Sequence, residues 1–178
     1  MDIRKAEAQI RKFERKGLLA KTESIKRLTG NFMYKARHNL ETAAALWNLS
    51  EEKDAKKLLK ISEAYEGYDW VIVISYYSMY HAAMAALASI EIKSDSHKAT
   101  ILALWYNFVH KGELEEKYMD SLKKARSLEE LYVSKIRAAK RRRIMAQYFV
   151  DISLTREEAE AIRKDASDFI NRIDELIS

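Results

Sequence analysis

The sequence predicts an all-α protein, an up-and-down bundle of four to five main helices with extra short helices. Three observations carry this. The 178 residues include no proline, where average usage of about 5% would supply roughly nine, and only four glycines, Gly17, Gly30, Gly67 and Gly112. A sandwich or barrel would need many more turn residues. Hydrophobic residues make up 48% and charged residues 33%, enough apolar side chains for a core and too many for a disordered chain. The third observation is "DWVIVISYYSMYHAAMAALASIE", which carries no charge between Asp69 and Glu91.

The elements follow in order. Residues 2 to 16 form a basic amphipathic helix with a stripe of Ile3, Ile10 and Phe13, interrupted at Gly17. A second helix runs from Thr22 or Asn31 to Trp47 through the helix-favouring "ARHNLETAAALW". Ser50, followed by Glu51 and Glu52, reads as an N-cap with acids in the first turn, opening a helix to Tyr65 that Gly67 ends. The central helix spans about 69 to 90. After "KSDS", a loop and cap, "HKATILALWYNFV" is helical and stops before Gly112. Residues 113 to 125 form a charged helix, and Ser127 with Glu130 reads as a capping box opening another. Thr155 with Glu158 opens the last helix, striped by Ala159, Ile162, Phe169, Ile173 and Leu176. Residues 1–30 are expected as an appendage, and residues 31–178 as the bundle.

Wound at 100° per residue, the central helix separates into two faces. Val73, Tyr76, Tyr77, Tyr80, Met84 and Leu87 are bulky; Ser75, Ser78, Ala82, Ala85, Ala86 and Ser89 are small. The segment is long enough to cross a bilayer. Its tyrosine hydroxyls and His81 would then sit near mid-membrane, where lipid offers no partner. A buried helix at the middle of a bundle, with no membrane, is the expectation. No cysteine occurs, which excludes disulfides and thiolate metal sites and fits a reducing, cytoplasmic setting. The charged N-terminus is unlike a signal peptide.

Among chemical classes, metal sites fail first. His38, His81, His97 and His110 are not paired at i, i+4, and no phosphate-cradling glycine loop exists; no cofactor or metal is expected. The net charge is +5, and "KIRAAKRRR" concentrates Lys135, Arg137, Lys140, Arg141, Arg142 and Arg143 with no acid among them. Such a run suits phosphates, which guanidinium forks bind bidentately, although taken alone it reads first as a solvated face. His81 and the tyrosines read first as core residues with hydrogen-bonded polar tips.

Three segments, "YDWVIVISYYSMYHAAMAAL", "SHKATILAL" and "RIMAQY" ahead of the Thr155 helix, together resemble the small prokaryotic branch of the HEPN domain family. The resemblance covers roughly residues 31 to 178. It implies a helical bundle, commonly a homodimer, often paired with a minimal nucleotidyltransferase as a toxin–antitoxin-like system. In catalytically competent members an Arg-x(4–6)-His motif cleaves RNA without metal. Arginine stabilises phosphorane charge and histidine moves a proton.

This sequence departs from that motif: Tyr148 stands five residues after Arg143, and no histidine follows His110. Gln147 stands where the branch usually has Asp, and Ile74 where relatives often carry an arginine. The expected function is binding of RNA or nucleotide in a basic groove formed by Lys140, Arg141, Arg142, Arg143 and Tyr77. A degenerate ribonuclease site would comprise Arg143, Tyr148 and His81. The alternative is a non-catalytic dimeric interaction module that partners a nucleotidyltransferase.

Overall fold

The computed structural model describes residues 2–141 and 154–178; within that range the side chains of Tyr132 and of residues 135–141 are not described. Arg142, Arg143 and Tyr148, expected in the basic groove and the ribonuclease site, lie outside the described residues, as do the side chains of Lys140 and Arg141.

Four long helices make an up-and-down bundle: α2 (Thr29–Glu51), α4 (Tyr68–Ser89), α6 (Glu116–Arg141) and α7 (Arg156–Ile177). Shorter elements join them: α1 (Ile3–Arg15), a 3₁₀ turn (Glu23–Leu28), α3 (Lys53–Leu58), α5 (His97–Leu104) and a π-helical turn (Trp105–Val109). Side-chain contacts fix the alternating directions. Ser78, midway along α4, bonds to Ala36 in the first half of α2, and Gly67, just before α4, bonds to Ser50 at the end of α2. Arg37 pairs with Asp174 and Arg156 with Glu51, so α7 runs antiparallel to α2. Arg172 meets Glu115, and Tyr118 packs edge-on against Phe169, so α6 and α7 are antiparallel as well.

α4 is the buried member, as its uncharged sequence predicts. Its first turns carry Val71, Ile72, Val73 and Ile74, β-branched residues with modest helix propensity. Burial overrides that preference: Val71, Ile72, Tyr76, Met79 and Leu87 are inaccessible to solvent. On the small face, Ser75, Ser78, Ala82, Ala85 and Ala86 are equally buried. The Ser78 hydroxyl donates to the Ala36 carbonyl of α2, a bond that requires close backbone approach. The helix is long and apolar enough to cross a membrane by length and composition, but 72% of its most apolar window is buried inside the fold.

The N-terminal thirty residues add α1 and a strand, β1 (Leu19–Lys21), which pairs antiparallel with β2 (Ile92–Ser94) in the register Leu19 to Ser94. This two-stranded ladder is an addition to the all-α expectation, and it incorporates part of the anticipated "KSDS" loop. Ala6 and Leu19 join the central core, with Ile3, Ile10 and Phe13 packed against it. Gly17 follows α1 with φ of +66°, the left-handed conformation that ends helices.

Two helix boundaries differ from the expectation. Ser50 is not an N-cap but the penultimate residue of α2. Its hydroxyl donates to the Leu46 carbonyl (2.8 Å) and accepts from the Gly67 N–H (2.8 Å), the back-bonding habit of serine inside a helix. Gly67 therefore precedes α4 rather than ending a helix at Tyr65, and α3 stops at Leu58. A Cβ at Gly67 would fall 2.8 Å from the Tyr65 hydroxyl and 3.2 Å from Ser50 Oγ, so glycine permits this packing. Nor does Ser127 start a helix. It lies in mid-α6, donating to the Lys123 carbonyl (3.1 Å), while Glu130 is taken by Arg126. Thr155, by contrast, makes the expected box: the Glu158 N–H reaches its hydroxyl (3.2 Å) and Glu158 accepts from the Thr155 N–H (2.9 Å).

Candidate nucleotide-binding cleft

α4, α5 and α6 enclose a cleft of about 670 Å³. Tyr77 comes from α4, and His97 and Lys98 begin α5. Arg126, Glu129, Glu130, Val133 and Ser134 come from α6, while Leu18, Asp95 and Ser96 close the edge beside the ladder. The volume lies within the range of small-molecule sites.

The aromatic wall is built around His97. Its ring stacks on Tyr80, centroids 4.1 Å apart and planes 7° from parallel, and meets Tyr77 edge-on at 6.0 Å. Its Nδ1 is hydrogen-bonded to the Tyr76 hydroxyl. Burial raises the Tyr76 pKa, so the phenol keeps its proton. Burial, and then the neighbouring Arg126, lower that of His97, so the imidazole is neutral at pH 7. A buried phenol satisfies its O–H by donating, which makes Nδ1 the acceptor and leaves the ring proton on Nε2. His97 is thereby a fixed hydrogen-bond donor. Tyr77 stands 36% exposed beside it, its own pKa raised by burial and then by Glu129 and Tyr80.

The charges of the cleft are mostly engaged. Arg126, only 16% exposed in its side chain, pairs with Glu130. Asp95 is held by Lys93 at 2.8 Å. A guanidinium has five N–H donors, and among the described residues the Arg126 bonds both go to Oε1 of Glu130. Arg126 therefore keeps donor capacity for an anion.

His81 has the opposite tautomer. Its Nδ1 lies 2.7 Å from the Tyr77 carbonyl, which can only accept, so Nδ1 carries the proton and Nε2 the lone pair. Asn39 Nδ2 approaches the same nitrogen at 3.4 Å, placing His81 toward α2. Burial lowers its pKa. The structure thus brings Tyr77 into the cleft, with His81 one turn further along α4 and turned toward α2.

His97, Lys98 and Arg126 were not singled out by sequence reasoning. His97 sits in the Ser-His segment on which the resemblance partly rests, which is the one signal that could have raised it above the other histidines. Among the described residues no group of three or more His, Cys, Asp or Glu is arranged to hold a metal ion.

No curated protein matches the chain. The family model of the HEPN domain matches residues 52–176, well over half of it and including Tyr77, His97 and Arg126. At the level of the family this supports a nucleotide- or RNA-related role. With its all-α bundle and this match, the chain belongs to the HEPN domain family.

Proposed function

We propose that this HEPN protein binds RNA or a nucleotide in the α4–α5–α6 cleft, where Tyr77 and His97 receive a base and Arg126 and Lys98 receive phosphate. The observation that carries the reading is the half-exposed Tyr77 ring, set edge-on to His97 beside two cations of the same cleft. Base faces stack on aromatic rings with little regard to sequence, and guanidinium holds phosphate. The basic run supports it further. Val133 and Ser134 belong to the cleft wall, and α6 continues through the backbone of Lys135 to Arg141. By the helical repeat, position 137 falls about 20° around the axis from position 126.

The tautomers favour binding over cleavage in this cleft. His97 donates from Nε2 and offers no lone pair to take a proton from a ribose hydroxyl. His81 retains such a lone pair but faces α2. The ribonuclease reading otherwise rests on Arg143 and Tyr148, outside the described residues.

Fluorescence anisotropy with a labelled single-stranded RNA, in a chelator, tests the reading. Arg126→Gln and Tyr77→Leu are each expected to weaken binding. Unchanged affinity in both variants would contradict it. The same mixtures on a denaturing gel report cleavage: intact RNA fits a binding role, and fragments that disappear with Arg143→Ala fit the ribonuclease.

A further inference from the structure

Adjoining the cleft is a second cavity of about 260 Å³ between α5 and α6. Ile101, Leu102, Trp105 and Met119 line it together with Glu116 and Lys123. Two residues line both cavities, Lys98 and Arg126. They are the two cations of the cleft, Arg126 being paired with Glu130, and together they stand between an aromatic pocket and an apolar one. The acid of the second cavity is engaged: Glu116 accepts from Trp105 Nε1 (3.1 Å) and faces Lys123 Nζ (3.6 Å).

Resting on the binding function proposed above, we propose that the two cavities are adjacent base subsites, and that the ligand is single-stranded RNA engaged across a dinucleotide step. The phosphodiester lies between Lys98 and Arg126. One base stacks at Tyr77 and His97, and its neighbour enters the pocket of Ile101, Leu102, Trp105 and Met119. A mononucleotide places its phosphate on these cations but fills only one pocket. The order pocket, cations, pocket corresponds to covalent order in RNA, where each linking phosphate is flanked by two bases. An apolar pocket that includes a carboxylate suits a base, which has apolar faces and polar edges, better than a second phosphate.

Calorimetric titration of the full chain with adenosine monophosphate and with the dinucleoside monophosphate adenylyladenosine tests this. The monophosphate carries more negative charge, so charge alone would make it the tighter ligand. Adenylyladenosine is expected to bind at least about ten-fold more tightly, and to shift the Trp105 indole N–H resonance where the mononucleotide does not. Leu102→Trp fills the second pocket and is expected to bring the affinity ratio to about one; Ile101→Phe serves the same purpose should the first variant not fold. Equal affinities in the parent protein, or a ratio that survives both substitutions, overturn the proposal while leaving the cleft as a nucleotide site. Binding of neither ligand overturns the cleft reading together with it.

Discussion

The imidazole of His97 lies flat on the ring of Tyr80 and takes a hydrogen bond from the hydroxyl of Tyr76 at Nδ1. Two tyrosines one helical turn apart on α4 thus set both the plane and the tautomer of a histidine on α5. Tyr76→Phe removes the lock without removing the ring. Loss of this bond is expected to cost about 0.5–1.5 kcal/mol in chemical denaturation. The sharper readout is nitrogen NMR, in which His97 is expected to change from a fixed Nε2–H form to a mixture of tautomers.

The same burial predicts a response to pH. His97 and His81 both have folded-state pKa values below the ordinary 6.5. Around His97 stand Arg126 and Glu130 of α6, His81, and Tyr76, Tyr77 and Tyr80 of α4. The unfolded chain then binds more protons than the folded one below pH 6.5. Stability is expected to begin falling near pH 6.5 and to continue until pH passes the lower folded values. Urea midpoints measured from pH 7.5 to 5 check this. His97→Gln should flatten the decline, and an unaltered profile would count against a buried neutral His97.

Two stretches of this chain share the pattern Ser/Thr-x-x-Glu, yet only one is a cap. Thr155→Ala is expected to destabilise the protein by about 0.5–2 kcal/mol, because it removes the acceptor for the Glu158 N–H. Ser127→Ala lies inside α6 on an exposed position and is expected to be neutral, or stabilising by up to about 0.5 kcal/mol. Thermal or urea unfolding of the pair, side by side, separates these outcomes.

These two sites mark how far the fold is legible in sequence. Gly17, Gly112, the Thr155 box and the uncharged run of α4 are local signals, and each falls at or within the element it predicts. Ser50 and Ser127 fail because a serine satisfied by its own helix resembles a cap until the backbone is known. Ser50 also accepts from Gly67, seventeen residues away, which no local pattern encodes. The candidate site is harder for the same reason. His97 acquires its role from Tyr76, Tyr77 and Tyr80 on one helix and Arg126 on another, partners that only the bundle brings together.

Close approach of α2 and α4 depends on small residues. Ser78 is fully buried, and its hydroxyl donates to Ala36. Ser78→Ala is expected to lose about 0.5–1.5 kcal/mol from the bond. Ser78→Leu adds overpacking and is expected to lose about 1–3 kcal/mol more. Equal stability of the two variants in urea would mean that the helices are not in tight contact.

Binding of RNA in the α4–α5–α6 cleft can be followed at the histidine side chains during an RNA titration. The Nε2 resonance of His97 is expected to shift progressively and to saturate with the affinity measured by anisotropy. In Arg126→Gln the affinity should fall and the magnitude of the log affinity against log salt slope should decrease by about 0.7, the loss of one phosphate contact on a single strand. Saturable RNA binding that leaves His97 unmoved, with an unchanged salt slope in the variant, would contradict it.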